Sequence, residues 1–342
     1  MANFATSALV NGQAEFTTNM LKAEWRMPDV AAFQVANKGA IANPMLNDLR
    51  TKEERTVLAY FPVRGADGSA TARGYAHTGN RGDSLSETLA WTTFTETFSI
   101  SIKQADNNVF SWATLYAATK RARLLALLNR IDAWFVAALL ADKTQVNEGG
   151  GDGSFNAVTH NYDVLAADKD YFFQQAKSSL EYNNFSSDLI GVLDDKAKTN
   201  MQKLSAQGSA NATNFGFQFS GMNLVPTTRT LLGTSFDGSG LFFENGMVAV
   251  IPWIPKQNRK SINPTLAMSY NGDSGSEMLP ELGIQIAVHG YASRADTSAS
   301  QGDAQDLLYQ EELSVDIGYV SAPLGTRRGS SDSPIYSIAQ LK

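Results

Sequence analysis

The chain contains no cysteine and only three histidines. The lack of cysteine excludes disulfide bonds, thiolate metal ligands and cysteine nucleophiles, and it fits folding in a reducing cytoplasm. The histidines are too far apart to form a metal-binding pair on one helix, and no Asp/Asn loop has the spacing of a calcium site. We therefore expect no cofactor and no metal.

Long apolar runs and an excess of basic residues are also missing. No segment approaches the roughly 20 apolar residues that cross a bilayer, and residues 1–20 lack the pattern of a secretory signal. The formal net charge is −6, whereas dedicated nucleic-acid binders usually carry a strongly basic face. These features predict a chain that has no membrane partner and does not bind nucleic acid specifically.

What is present is the composition of an ordered globular protein. The 342 residues are 43% hydrophobic and 18% charged, and a chain of this length buries about three quarters of its unfolded surface. Residues 1–55 are weakly periodic, which favours an extended arm with one short helix at 45–54.

Two alternating segments, 56–63 and 88–102, predict strands that pair with each other. The second has Phe94 and Phe98 on one face and threonine and serine on the other. The connection between them contains five glycines and few apolar side chains, and connections this long are usually functional or mobile. We expect a two-stranded ribbon that needs a neighbour to lie on.

Residues 109–141 contain neither glycine nor proline and have apolar residues at helical spacing, which predicts a helix of roughly 50 Å. After the glycine run 149–153 the pattern is mixed α/β, with a compact region ending near residue 263. The helices and strands predicted there are 168–182, 189–193, 194–207, 215–225 and 247–254. A long antiparallel hairpin follows at 283–292 and 308–320, and residues 323–333 are expected to end the ordered part.

Catalytic patterns are weak. Gly272-Asp273-Ser274-Gly275 matches the short tract around the nucleophile of chymotrypsin-like proteases, but that chemistry needs a histidine base and an orienting acid. None of His77, His160 and His289 has the sequence setting of that family. The tripeptide 81–83, Arg-Gly-Asp, is interpreted as a polar turn rather than as an adhesion motif. We expect no enzyme activity.

The order of these elements resembles the Hong Kong 97-type α+β fold shared by tailed-bacteriophage major capsid proteins and encapsulins. The local sequences of residues 183–190 and 246–255 also look like such capsid proteins. The resemblance implies an N-terminal arm, an extended E-loop hairpin, a long spine helix, and peripheral and axial domains. The corresponding ranges are 1–55 for the arm, 56–104 for the E-loop, 105–160 for the first peripheral part with the spine helix, 161–265 for the axial domain, and 266–342 for the second peripheral part and a C-terminal tail.

The resemblance implies a virion protein that assembles with itself into pentamers and hexamers in the host cytoplasm and encloses double-stranded DNA with non-specific contacts. A separate scaffolding protein, a portal protein and decoration proteins are the other expected partners. No lysine lies between Lys52 and Lys103, so no lysine-based crosslink is expected from the E-loop. The residues expected to join subunits are Trp91, Phe94, Phe98, Arg73, Arg81 and Asp83.

Three alternatives stay open at the sequence level. An encapsulin-like compartment has the same fold and encloses cargo enzymes instead of DNA. A serine hydrolase would use Ser274 as its nucleophile. A β-rich phage tail protein would form trimers or fibres instead of closed shells.

Overall fold

A computed structural model of the chain describes residues 2–22, 30–38, 58–63, 83–101, 111–143, 153–182, 185, 188–208, 221–229, 231–233, 235–279, 284–295, 306–322 and 334–342. The fold is mixed helix and sheet, as expected. The chain divides into two compact units, each assembled from three segments. The first comprises residues 1–33, 91–131 and 251–318, and the second comprises 34–90, 132–250 and 319–342.

The helices agree with the sequence pattern except at the start of the chain. The long helix is found, and so are the two helices predicted after the glycine run. Their bounds are α1 Ala2–Met20, α2 Ala31–Lys38, α3 Trp112–Asp142, α4 Phe172–Tyr182, α5 Asp195–Gly208 and α6 Pro264–Ala267, with 3-10 turns at Ala166–Tyr171 and Lys256–Asn258.

The extended arm predicted at the N-terminus is wrong for residues Ala2–Met20, which form α1. Its buried residues Leu9, Gly12, Phe16, Asn19 and Met20 recur at intervals of three and four, so they make one helical stripe. The stripe is narrow and includes a glycine and an asparagine, and this explains why the hydrophobic periodicity is faint in the sequence. The helix predicted at 45–54 lies outside the described residues.

Within the described residues the strands fall into three sheets. One has two strands, one has five, and one has six. The strand bounds are β1 Leu58–Val63, β2 Asp83–Thr88, β3 Ala90–Ser101, β4 Ser154–Asn156, β5 Asn161–Val164, β6 Leu189–Leu193, β7 Met222–Pro226, β8 Phe236–Glu244, β9 Val248–Trp253, β10 Asp273–Leu279, β11 Ile284–Ala295, β12 Asp306–Ser321 and β13 Tyr336–Leu341.

The five-stranded sheet has the order β10-β11-β12-β3, and β9 also pairs with β12. The predicted hairpin is confirmed, because β11 and β12 are antiparallel from Ala287 opposite Ser314 to Ala295 opposite Asp306. Its residues at the tip, 296–305, lie outside the described part. Helix α3 contacts this hairpin through Tyr116, whose hydroxyl donates a hydrogen bond to Glu311 on β12.

The predicted pairing of the two ribbon strands needs correction. Strand β1 pairs with β2, with Leu58 opposite Thr88 and Val63 opposite Asp83, whereas β3 belongs to the five-stranded sheet. Buried Leu89 separates β2 from β3. Strand β3 has an apolar face. Such a face is buried when the strand packs on a core, and it would stay exposed to solvent in a two-stranded ribbon.

The six-stranded sheet has the order β4-β5-β13-β8-β6-β7 and packs with α4 and α5 in a core that includes Phe172, Leu193 and Phe242. Four of its strands were not predicted. Strands β4, β5 and β8 were missed, and the chain end, which forms β13, was wrongly interpreted as a tail. Residues Tyr336–Leu341 form β13, parallel to β5 and antiparallel to β8, so the last strand is internal to this sheet.

Candidate assembly surfaces

Helix α1 is held in the first unit by an aromatic contact with α3. Leu9 shares a buried cluster with Trp112, Tyr116 and Tyr309. A Cβ atom added to Gly12 would lie 2.8 Å from Cδ1 of Tyr116, which is closer than two carbon atoms pack. Glycine is therefore required where α1 approaches this ring.

Beside this contact lies a buried charged cluster around Lys120, which is 1% exposed. Its Nζ lies 2.5 Å from Oε2 of Glu277 and 2.9 Å from Oε1 of Glu311. The hydroxyls of Tyr116 and Tyr309 donate to Oε2 of Glu311 at 2.7 and 2.8 Å. One cation and two phenols therefore surround the fully buried carboxylate, which is how an interior charge is stabilised.

The electrostatics of the cluster keep Lys120 protonated. Burial alone would lower the pKa of Lys120, but the charges of Glu277 and Glu311 outweigh it and hold the pKa above its ordinary value. Burial raises the pKa of both Tyr116 and Tyr309, and the charge of Glu311 adds to that effect. The phenols consequently remain hydrogen-bond donors.

The same lysine links the cluster to α1. Its Nζ lies 5.1 Å from the centre of the Phe16 ring, within the range of a cation–π contact. Phe16 is 2% exposed, so the N-terminal helix covers the charge. The cluster thus joins α1, α3, β10 and β12 inside the first unit.

The ribbon of β1 and β2 belongs to the second unit and has two different faces. Ala59 and Phe61 are buried at 0% and 4% exposure, whereas the alternate residues Leu58 and Tyr60 are 39% and 47% exposed. One face is therefore packed within the chain. The other presents two large apolar side chains to solvent.

The aromatic residues predicted to join subunits lie in the first unit. Phe94 and Phe98 are buried at 5% and 6% exposure, and the rings of Phe98 and Tyr116 are 5.8 Å apart. Trp91 is half-buried, with its ring edge-on to Trp253 at 6.2 Å. The burial of the two phenylalanines does not fit their expected role as anchors on a neighbour, because that role needs exposed side chains.

The charged residues predicted for the same role are not brought together with these aromatics in what the structure describes. Arg73 and Arg81 lie outside the described residues, and so does the histidine at position 77. Asp83 is the first residue of β2 and lies opposite Val63 of β1.

The serine of the Gly-Asp-Ser-Gly tract lies on β10. Ser274 is opposite His289 on β11, and His289 is opposite Glu312 on β12. Among the described residues the structure shows no hydrogen bond between Ser274 and His289, although a nucleophile and its base are expected within hydrogen-bond reach. The neighbouring Asp273 instead accepts from Nζ of Lys260 at 2.8 Å and from the backbone N–H of Asn263 at 2.7 Å.

His289 also lines an open groove of about 440 Å³ on the same sheet. Its other walls include Thr97, Arg123, Gln310 and Glu312. Sites for small molecules are usually concave and mostly apolar with a few polar groups. This groove is open and polar, so it does not have the features of a small-molecule site.

Helix α3 is long and apolar enough to cross a membrane, judged by length and composition alone. In this fold it is a core helix: Leu124, Ile131 and Leu139 are fully buried. Its buried Asp132 accepts a hydrogen bond from the Thr227 hydroxyl at 2.7 Å. The apolar residues of α3 are therefore used in packing.

Comparison with known proteins finds no matching family model and no matching curated protein. Among solved structures the chain is similar to one from Mycobacterium phage Bobi, with 11% identity and a TM-score of 0.49 over 94% of this chain and 93% of that one. The capsid of Ralstonia phage GP4 shows 9% identity and a TM-score of 0.46 over 85% and 84%. The capsid structure of cyanophage P-SCSP1u shows 14% identity and a TM-score of 0.41 over 83% of each chain.

Proposed function

We propose that this chain is a major capsid protein of the tailed-phage type, a structural subunit that assembles with copies of itself into a closed shell around double-stranded DNA. The observation that carries the proposal is the order of elements along the chain. A two-stranded ribbon, a 31-residue helix, five strands of the six-stranded mixed sheet and a long antiparallel hairpin follow each other along the chain, and the sixth strand of that sheet comes after the hairpin. This is the order that the resemblance to capsid subunits implies.

In this proposal the ribbon makes the contact between subunits. A solvent-exposed apolar face gains free energy when a neighbour covers it, so assembly and burial are coupled. Leu58 and Tyr60 are the described ribbon residues that supply such a face. The E-loop is then narrower than residues 56–104, because β3 is part of the five-stranded sheet.

The remaining partners and domain roles are proposed on the same basis. The acidic net charge of −6 suits a shell that contains DNA without binding it tightly. Pentamers and hexamers, a scaffolding protein, a portal protein, decoration proteins and assembly in the host cytoplasm belong to the proposal. The six-stranded unit is assigned to the axial role, now including the C-terminal strand β13.

Electron microscopy of the expressed protein tests the shell directly. We expect closed particles from the full chain, alone or with its scaffolding protein. A variant in which a short Gly/Ser linker replaces residues 65–82 retains β1 and β2, and should give folded subunits without closed shells. Shells of normal size from that variant would contradict the proposed role of the ribbon.

An encapsulin-like compartment is separated from a capsid by what the particles contain. Particles purified from the native host source should hold nuclease-protected DNA if the chain is a capsid subunit. Particles that hold a single enzyme and no DNA would favour the compartment.

A serine hydrolase is the candidate from a different class of protein. It is suggested by Ser274, His289 and Glu312, which lie opposite one another on the neighbouring strands β10, β11 and β12. A fluorophosphonate probe should fail to label the full chain, because the serine is not hydrogen-bonded to its potential base. Labelling that disappears in Ser274→Ala but persists in Ser276→Ala would establish the hydrolase instead.

A further inference from the structure

One stretch of the first unit carries only positive charge, although the chain as a whole is acidic. Residues 251–272 contain Lys256, Arg259 and Lys260 and no aspartate or glutamate, whereas the formal net charge of the chain is −6. The three basic residues lie at the 3-10 turn Lys256–Asn258 and directly after it. Positive charge is therefore concentrated at one short turn between β9 and α6.

The turn places two of these side chains on the same side. The backbone N–H of Arg259 donates to the carbonyl oxygen of Lys256 at 3.1 Å, and side chains three residues apart in a 3-10 turn eclipse each other. The guanidinium carbon of Arg259 lies 5.7 Å from the centre of the Trp253 ring, and its Nε donates to the carbonyl oxygen of Ile254 at 3.3 Å. These contacts restrict the arginine head group before any ligand binds.

The segment that follows the turn is held on β10. The carbonyl oxygen of Lys260 accepts from the backbone N–H of Ser276 at 2.7 Å, and its Nζ lies 2.8 Å from Oδ1 of Asp273. A Cβ atom added to Gly275 would overlap the backbone nitrogen of Ile262, so the two segments touch backbone to backbone. A rigid surface has little freedom to lose on binding, which lowers the cost of association. Because Asp273 partly neutralises Lys260, the other two cations supply most of the positive charge.

The other exposed polar side chains of this stretch are uncharged. They are Gln257, Ser261, Asn263, Thr265, Tyr270 and Asn271. Hydroxyl and amide groups of this kind, together with lysine and arginine, are the side chains with which proteins contact the phosphates of DNA. A protein partner usually buries an apolar core at its interface, whereas the exposed side chains of residues 251–272 are polar apart from Leu266. A polyanion therefore fits this surface better than a protein does.

We infer that this surface, the basic turn formed by Lys256, Arg259 and Lys260 with its uncharged polar neighbours, contacts the phosphate backbone of double-stranded DNA. The inference rests on the proposed function, because a shell that encloses DNA brings the duplex to every subunit. A surface with so few cations makes few phosphate contacts, so it binds weakly and without sequence preference. Weak binding agrees with the acidic net charge of the chain.

The salt dependence of DNA binding by the full-length protein tests this surface. Each phosphate that a cation neutralises contributes about 0.9 to the slope of log K against log salt concentration. The double variant Lys256→Gln/Arg259→Gln should therefore have a slope shallower by about 1.8, measured by fluorescence anisotropy of a labelled duplex. Between roughly 50 and 200 mM salt, its loss of affinity should be about tenfold smaller than that of the wild type.

A matched double variant controls for total charge. Lys169→Gln/Lys196→Gln removes the same charge from two exposed lysines of the second unit and should leave the slope unchanged. Lys256→Gln alone should make the slope shallower by about 0.9, and it keeps the test valid if Arg259→Gln destabilises the subunit. An unchanged slope in Lys256→Gln, or equal changes in the two double variants, would overturn the inference.

Polyglutamate represents an acidic protein segment as the ligand. It should compete with the labelled duplex less well than unlabelled duplex of equal charge does, because a duplex carries one charge per about 1.7 Å of its axis. Stronger competition by polyglutamate would assign the basic turn to a protein partner and would refute the contact with DNA.

This result is separable from the test of the shell. DNA-filled shells together with an unchanged slope in Lys256→Gln would leave the proposed function standing and remove the basic turn as a DNA contact. A slope that depends on Lys256 in a protein that forms no shells would support the contact and contradict the proposed function.

Discussion

Replacing Lys120 with methionine should destabilise the subunit strongly, although the two side chains are similar in length. The change leaves Glu311, which is fully buried, without its cation. Breaking a buried ion pair by removing one partner costs about 3–5 kcal/mol. The side chain of Glu277 is 25% exposed, so solvent screens that partner, and we expect a loss near the lower limit, about 3 kcal/mol.

Urea denaturation followed by tryptophan fluorescence measures this loss. Trp112 is a local reporter, because its ring stacks on Tyr116 at 5.3 Å. The matched control is Arg123→Met on the same helix. Arg123 is 51% exposed and lies 4.0 Å from Glu96, so its removal should cost no more than about 0.5 kcal/mol.

A second substitution identifies the origin of the effect. Lys120→Met combined with Glu311→Gln removes the uncompensated charge and should recover most of the lost stability. Equal losses for Lys120→Met and Arg123→Met, or no recovery in the double variant, would refute the reasoning. Because folding raises the pKa of Lys120 above its ordinary 10.5, its contribution is complete below that pH and is lost as the pH rises through the folded-state value.

Three further outcomes are expected. Gly12→Ala would stabilise an isolated helix by about 1 kcal/mol, but here the new Cβ meets Tyr116 at 2.8 Å, so thermal unfolding should occur at a lower temperature; a higher one would contradict the contact. Asp194→Ala removes the cap on the Ala197 N–H at 2.8 Å and the acceptor of the Ser239 hydroxyl at 2.6 Å, and should cost about 2–4 kcal/mol in urea denaturation; a loss below about 1 kcal/mol would contradict this. Tyr60→Glu on the exposed ribbon face should leave subunit stability within about 0.5 kcal/mol and prevent shells in sedimentation experiments; normal shells would count against that face.

The elements with strong periodicity were predictable from the sequence. A helix over 109–141 is found as Trp112–Asp142, and the hairpin strands are found as Ile284–Ala295 and Asp306–Ser321. Each has a continuous pattern that burial of one face imposes. Such patterns depend on local spacing alone, so they can be recognised without knowledge of the rest of the fold.

The elements that were missed depend on partners distant in the chain. Strand β13 has six residues and is buried because β5 and β8 flank it, which no local pattern reports. The sequence pattern predicted that β1 pairs with the apolar segment 88–102. That segment forms β3, whose apolar face packs in the five-stranded sheet, and β1 pairs with the more polar β2 instead.

The side-chain clusters were out of reach for the same reason. Lys120 and Glu311 are 191 positions apart, and a lysine on a helix normally indicates a solvated face. The Gly-Asp-Ser-Gly tract was the one local signal of chemistry, and its aspartate pairs with Lys260 instead.

The burial of Phe94 and Phe98 changes how the proposed shell obtains its stability. These residues contribute to folding of the first unit, so the free energy of assembly must come from surfaces that remain exposed. Covering side chains such as Leu58 and Tyr60, which are 39% and 47% exposed, contributes about 1–2 kcal/mol each at the usual value per area. One ribbon contact of this size is weak by itself and reversible.

A closed shell repeats such a contact at every subunit, and this makes weak contacts sufficient. In the proposed shell each subunit would both provide a ribbon and receive one in a ring, and losing about 1.4 kcal/mol per contact would lower each association constant about tenfold. The loss is repeated around the ring and across the shell. Substitutions on the exposed ribbon face should therefore raise the protein concentration needed for assembly steeply while leaving the unfolding of the subunit unchanged.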